Sequence, residues 1–236
     1  MDALIFDCDG VLVDTERDGH RVAFNAAFAD AGLQLSWSVE RYAQLLTTGG
    51  GKERMIRHFD EVGWPNGWDD KSALIALLHK NKTELFSRLI ESGALPLRPG
   101  VSRLVDEAIA AGVTLAVCST SNEKSVRTIV ENMLGRHRAQ HITIFAGDVV
   151  AVKKPDPAIY SLAASTLDLV AEKCVVIEDS HIGLQAAKAA GMNCIVTMSP
   201  YTADEDFELA DRVVSDLNKG INLALCRSIV ETRMTN

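Results

Sequence analysis

The sequence has no apolar run approaching the ~20 residues that cross a bilayer, no C-x-x-C pair and no excess of positive charge. The first absence excludes a transmembrane helix, and no membrane partner is expected. The second leaves an odd number of cysteines (Cys8, Cys118, Cys174, Cys194 and Cys226), which argues against a zinc site or a disulfide framework and for a reducing compartment. Four of the five lie in or beside apolar, strand-like runs, where a thiol behaves as a small hydrophobe. Cys8 lies between two acids, which would raise its pKa and not activate it. The third absence is a formal net charge of −8, unsuited to nucleic acid or an anionic membrane surface. An anionic small molecule would need cations gathered locally. No signal or transit peptide is read, because an apolar strand begins at the third residue; a segment removed earlier is left open. With 236 residues, 47% apolar and 24% charged, the chain suits one large domain or a core with a modest insert.

Strand signals are also sparse over a long stretch. After Ala3-Leu4-Ile5-Phe6-Asp7-Cys8-Asp9-Gly10-Val11 none returns until Val113–Cys118. Between them the apolar residues keep helical spacing: Phe24, Phe28 and Ala31; Val39, Tyr42 and Leu46; Met55, Phe59 and Val62; then Leu74, Leu78, Leu85 and Leu89 on one longer stripe. Leu95-Pro96-Leu97-Arg98-Pro99-Gly100 breaks the pattern. Residues 15–95 therefore read as a helical cap inserted after the first strand. Residues 1–14 and 96–236 read as one α/β core.

Beyond Gly100, helices alternate with continuous apolar strands at 113–118, 142–145, 174–177 and 193–197, and a short last strand at 212–215. That alternation predicts a Rossmann-like parallel sheet covered on both faces. Ligands in such sheets bind beyond the carboxyl ends of the strands. The first strand ends in Asp7 and Asp9, either solvated loop acids after an edge strand or a reactive pair held by a cation. Other strand ends carry Ser119-Thr120-Ser121-Asn122, then Lys153-Lys154-Pro155, then Glu178-Asp179-Ser180. Hydroxyls, lysine and four acids converging on one edge favour the reactive pair.

An aspartate can attack phosphorus to give an aspartyl-phosphate that water later cleaves. Attack by one anion on another needs charge neutralisation, which Mg²⁺ and a lysine supply. Asp7, Asp179 and Glu178 can offer the hard oxygen ligands, with a backbone oxygen near Asp9. Ser119 and the N–H groups at the helix after Asn122 can hold phosphate oxygens, and Lys153 or Lys154 the remaining charge. Asp9 is then left to protonate the leaving oxygen and activate water.

Phe6-Asp7-Cys8-Asp9-Gly10-Val11, the strand end at Ser119, Lys154-Pro155 and Glu178-Asp179-Ser180 resemble the four motifs of the haloacid dehalogenase-like phosphatases, in order and spacing, over nearly the whole chain. The resemblance implies Asp7 as nucleophile, Asp9 as general acid/base, Ser119 and Lys154 on phosphate, and Mg²⁺ on Asp7, Asp9, Glu178 and Asp179. True dehalogenases lack the second aspartate, so Asp9 favours phosphate chemistry.

More finely, Asp14–His20, Thr48–Arg54, His79–Lys82 and Ser119–Lys124 are similar to CbbY-type phosphatases, the plant and algal members in particular. That resemblance implies removal of phosphate from xylulose-1,5-bisphosphate, a Rubisco inhibitor, in the chloroplast stroma, with the cytoplasm as the alternative compartment; a monomer is expected. It implies substrate contacts at Glu16, Gly49, Gly50, Gly51, Lys52, Glu53, His79, Lys82, Ser119, Thr120, Ser121, Asn122 and Lys154.

From the residues themselves several of these stay open. Lys82 falls on the apolar stripe between Leu78 and Leu85 and either faces a polar cavity or snorkels to solvent. His79 is a ligand contact or a half-buried histidine. The triple glycine at 49–51 admits a close ligand or is a plain loop, and Glu16 accepts sugar hydroxyls or opens a helix. Arg54 and Arg57 read as solvated helix charges, and Asn122 as a helix cap. The rival activities are a phosphosugar mutase of the β-phosphoglucomutase type and a broad sugar-phosphate phosphatase. A non-catalytic sensor would be expected to lose Asp7, Asp9 or Asp179, and all three are present.

Overall fold

Four consecutive apolar residues with no polar alternation must be covered on both faces. In a computed structural model that describes residues 1–48 and 51–235, Ala3–Phe6 form such a strand, β1, with every residue buried. It lies inside a six-stranded sheet with β2 (Thr114–Ser119), β3 (Ile142–Ala146), β4 (Cys174–Glu178), β5 (Asn193–Thr197) and β6 (Arg212–Val214), in the order β3-β2-β1-β4-β5-β6. All neighbours are parallel, and Phe6 stands level with Val117 on one side and Ile177 on the other. The acids that follow β1 are therefore not beyond an edge strand. The register brings the ends of β1, β2 and β4 to one level.

The chain divides into two compact units, Met1–Asp14 with Leu95–Asn236, and Thr15–Ala94. In the first, helices alternate with the strands: α5 (Val101–Ala110), α6 (Glu123–Met133), the short α7 (Arg136–Ala139), α8 (Ala158–Thr166), α9 (His181–Ala189) and α10 (Leu223–Thr235). One sheet face buries Ile5, Ala116, Cys118, Val176 and Val196 with Ile159 and Tyr160 of α8 and Leu184 of α9. Each fully buried Ile, Val or Leu there contributes roughly 1.5–3 kcal/mol of transfer free energy. All five cysteines are free and buried. The short α7 and the final helix carried no sequence signal strong enough to place them.

The second unit opens with a π-helical turn, Thr15–His20, that runs into α1 (Arg21–Asp30). It continues through α2 (Val39–Leu46), α3 (Gly51–Val62) and α4 (Lys71–Glu91). Its centre is aromatic: Trp37 lies 4.9 Å from both Phe24 and Phe28 and 5.8 Å from Tyr42, centroid to centroid. Asn25 fixes that indole's backbone, accepting from Trp37 N at 2.7 Å and donating to Trp37 O at 3.0 Å. Phe24, Phe28, Tyr42, Met55, Phe59, Leu74 and Leu78 of the helical stripes are buried, whereas Ala31, Val39, Leu85 and Leu89 are half-buried. Leu45 is buried and Leu46 only half so, and Val62 is 63% exposed because α3 ends there. No helix among the described residues is long and apolar enough to cross a membrane.

Candidate active site

The β1 ladder continues one residue past the strand, Asp7 N donating to Ile177 O at 2.9 Å, so the first acid is delivered in register at the sheet edge. The chain then turns sharply. Leu12 N donates to Cys8 O (2.9 Å), Gly10 N donates to Val13 O (2.8 Å), and Gly10 takes φ +82°. Two constraints require glycine here: the left-handed backbone, and a Cβ that would lie 1.9 Å from Asp179 Oδ2. The turn is thus pressed against the acid at the end of β4.

Lys154 joins the site from the loop before α8. Its side chain is 5% exposed, and its Nζ donates to Asp7 Oδ1 (2.6 Å), Glu178 Oε1 (2.7 Å) and Cys118 O (3.0 Å). Burial opposes its charge, but Asp7 and Glu178 outweigh that and raise its pKa. Lys153 turns away, bonding Gly147 O and, at 3.0 Å, Asp148 Oδ1. Of the two lysines, Lys154 is the one in the cluster.

Carboxylate oxygens of Asp7, Glu178 and Asp179 lie within 4.8 Å of one another. Three acids face one ammonium, and both Asp7 and Asp179 have pKa values raised, first by burial and then by the neighbouring carboxylates. Such a cluster fits a hard divalent cation, which would supply the missing positive charge. Glu178 is the most engaged of the three. Its Oε1 also accepts from the Tyr160 hydroxyl, and its Oε2 lies 3.2 Å from Asp179 N. The Asp9 side chain is outside this group; its Oδ2 accepts from the Ser121 hydroxyl at 2.5 Å.

Ser119 is buried at the end of β2, its Oγ accepting from Ser121 N at 3.1 Å. Thr120 is exposed, and Asn122 caps α6 by accepting from Lys124 N at 3.0 Å. The structure therefore brings Asp7, Asp9, Ser119, Ser121, Lys154, Glu178 and Asp179 to one strand-end cluster. Cys8 is fully buried, and burial followed by Asp9 and Asp7 pushes its pKa up, which leaves it inert.

The remaining expected contacts lie in the second unit. Glu16, in the π-helical turn, accepts from the Tyr42 hydroxyl at 2.6 Å and sits 3.8 Å from Arg54 Nη1. Lys82 does not snorkel. Its Nζ is 3.0 Å from His20 Nδ1 and lies over the rings of Phe24 and Phe86, 4.8 and 5.3 Å from their centroids. His79 is half-buried against Gly51, where a Cβ would come 3.3 Å from its ring and 3.1 Å from Phe24. Lys52 and Glu53 are exposed in the first turn of α3. Gly49 and Gly50 lie outside the described residues. Arg54 and Arg57 are not mere solvated charges: Arg54 donates to Thr48 O and the Tyr42 hydroxyl, Arg57 to Gln44 O and to Thr47 and Thr48 hydroxyls.

Four residues escaped sequence reasoning. Tyr160 stood inside an apolar stripe, and Gly183 was one more residue of a small-residue helix. Its missing Cβ would lie 2.1 Å from Glu178 Cδ. His20 carried no partner signal, and Arg98 appeared only as part of a helix-breaking segment.

The profile of haloacid dehalogenase-like hydrolases matches residues 1–191. A CBBY-like protein of Arabidopsis thaliana is 57% identical over 242 aligned positions, covering 99% of this chain and 76% of that protein. The crystal structure of CbbY from Rhodobacter sphaeroides in complex with phosphate superposes with a TM-score of 0.73 at 41% identity, covering 97% of this chain and 99% of that one. A mutant of the same CbbY in complex with xylulose-(1,5)bisphosphate gives 0.72 at 42% identity, covering 95% and 98%. With an aspartate pair, a serine strand end, a buried lysine and a terminal acidic cluster in that profile's span, this chain belongs to the haloacid dehalogenase-like hydrolase family and is a phosphatase of its CbbY-like group.

Proposed function

We propose that the enzyme removes a phosphate from a sugar bisphosphate, xylulose-1,5-bisphosphate first among candidates, through an aspartyl-phosphate on Asp7. The observation that carries this reading is the division of labour between two acids two residues apart. Asp7 is ion-paired with Lys154, while Asp9 is hydrogen-bonded to a hydroxyl, that of Ser121. Burial raises the Asp7 carboxyl, so it attacks as the anion that Lys154, together with a cation at the cluster, would stabilise; Asp9, outside that cluster, is left to the proton transfers.

In the first step an Asp7 oxygen forms a bond to phosphorus as the phosphorus–sugar oxygen bond breaks, and Asp9 gives its proton to the departing oxygen. In the second, Asp9 takes a proton from water, the water oxygen bonds to phosphorus, and the Asp7–phosphorus bond breaks to free inorganic phosphate. Lys154 offsets charge on the transferring group, and Ser119 with the α6 N-terminus binds its peripheral oxygens. Asp7, Asp179, Glu178 and the Asp9 backbone oxygen would hold Mg²⁺, which neutralises charge between nucleophile and phosphate when bound.

The substrate reading is supported by the bisphosphate bound to the bacterial relative and by the basic side chains of the second unit, Lys52, Arg54 and Lys82. We read that unit, Thr15–Ala94, as a cap, with Glu16, Gly51, Lys52, Glu53, His79 and Lys82 contacting substrate. A chloroplast stromal setting is supported by the Arabidopsis relative and by five free cysteines. The test is phosphate release across sugar mono- and bisphosphates with Mg²⁺. Strong preference for pentulose bisphosphates over β-glucose-1-phosphate is expected. A flat profile would replace the reading with a broad phosphatase, and isomerised sugar with little free phosphate would replace it with a mutase.

A further inference from the structure

Arg98 belongs to the segment by which the chain re-enters the first unit at Leu95. Its backbone N–H donates to Leu12 O at 2.8 Å, and Val13 forms an antiparallel bridge with Leu97, so the segment is paired with the one leaving that unit. The half-buried guanidinium then donates to four main-chain carbonyls from three places: Gly10 O, Thr197 O (2.9 Å), Met198 O (2.7 Å) and Ser215 O (2.8 Å). A further contact reaches the Thr197 hydroxyl at 3.3 Å. A planar fork with five N–H donors can serve this many acceptors at fixed angles; an ammonium cannot. Burial opposes the guanidinium charge and lowers its pKa, and the charges of Asp179, Asp14 and Asp216 offset only part of this.

The Nη1 arm of this fork ends beside the acidic cluster. Gly10 follows Asp9 directly, and its Cα face is the surface against which Asp179 rests. Thr197 reaches Glu178 O with its hydroxyl at 3.5 Å. We propose that Arg98 is a positioning residue of the active site, which ties the Asp7–Gly10 turn to the ends of β5 and β6 and so sets the spacing of Asp7 and Asp179 for a divalent cation. The proposal rests on reading those two acids as the cation-binding pair. It further implies that the two segments joining the units are part of the frame that holds the nucleophile.

The test uses the full chain with Arg98→Lys and Arg98→Ala, Mn²⁺ binding followed by the electron paramagnetic resonance of the free ion, and thermal melting in parallel. Phosphate release is measured against Mg²⁺ and against substrate. Losing the fork is expected to weaken Mn²⁺ binding about tenfold or more in both variants, equivalent to about one charge-assisted hydrogen bond. The Mg²⁺ needed for half-maximal rate should rise with it, while KM at saturating Mg²⁺ stays within about twofold of wild type. Guanidinium ion added to Arg98→Ala should restore part of the Mn²⁺ affinity, and added to Arg98→Lys should not. Folded variants with wild-type Mn²⁺ affinity would overturn the proposal. So would a Lys variant that is simply unfolded, which would make Arg98 a stability residue. Turnover by the wild type is read separately: its absence would remove the phosphatase reading, whereas the Mn²⁺ titration alone decides the role of Arg98.

Discussion

Lys82 donates to His20: its ammonium lies 3.0 Å from Nδ1 of an imidazole whose pKa is driven down to about 3, first by burial and then by Lys82 and Arg54. His20 is therefore the neutral acceptor of the pair, with its proton on Nε2. Lys82 itself is lowered to about 8, by burial and then Arg54, with Glu16 pulling the other way. Side-chain NMR should find the Lys82 amine titrating near 8 and His20 not titrating between pH 5 and 8. Glu16→Gln should lower the Lys82 value and Arg54→Ala should raise it.

The same pair makes a stability prediction. An amine whose pKa falls on folding penalises the fold while it is charged, so stability rises with pH as it passes from about 8 towards the ordinary 10.5. Lys82→Met should melt above wild type at pH 7, and the gap should shrink across that window. A gap independent of pH would show the amine to be solvated.

Asp7→Asn should reduce phosphate release by on the order of 10⁴ or more, because it removes the attacking atom. Asp9→Asn should act differently: about 10²- to 10⁴-fold slower, with a phosphoryl mass gain on Asp7 as the second step stalls. Intact-protein mass spectrometry after mixing with substrate separates the two. Unchanged turnover in Asp7→Asn would sink the mechanism.

Gly183→Ala tests the seat of Glu178. The added methyl would lie about where the carboxylate now is, 2.1 Å from its carbon, with α9 unable to yield without disturbing the sheet. A cost of about 1–3 kcal/mol is expected in denaturant unfolding, together with a higher Mg²⁺ concentration for half-maximal rate. Tyr160→Phe removes one donor from Glu178 while Lys154 remains, and should cost only about 1 kcal/mol.

Chelation should abolish turnover, with Mg²⁺ restoring it. Because a cation would relieve repulsion among Asp7, Glu178 and Asp179 in the folded state alone, it should also stabilise the fold. About 2.7 kcal/mol is expected at a concentration one hundred times its Kd. A melting temperature unmoved by Mg²⁺ would count against a cation at this cluster.

What the sequence determined by itself was local and periodic. Continuous apolar runs such as Ala3–Phe6 and Cys174–Ile177 specify strands covered on both faces, and helix-spaced apolar residues from Phe24 to Leu89 specify a helical insert. Chemistry-bearing residues at strand ends could be read as one group because parallel strands expose their carboxyl ends together. Tertiary structure decided what depends on partners distant in sequence. It chose Lys154 over Lys153, since only Lys154 reaches Asp7 and Glu178. It placed Asp7 in mid-sheet, gave Lys82 a histidine instead of solvent, and turned Arg54 and Arg57 into braces for the segment after α2. Gly10, Gly183 and Arg98 show why such roles are hard to read from the chain. Their work is to leave room for, or bind the backbone of, residues that only the folded register brings within reach.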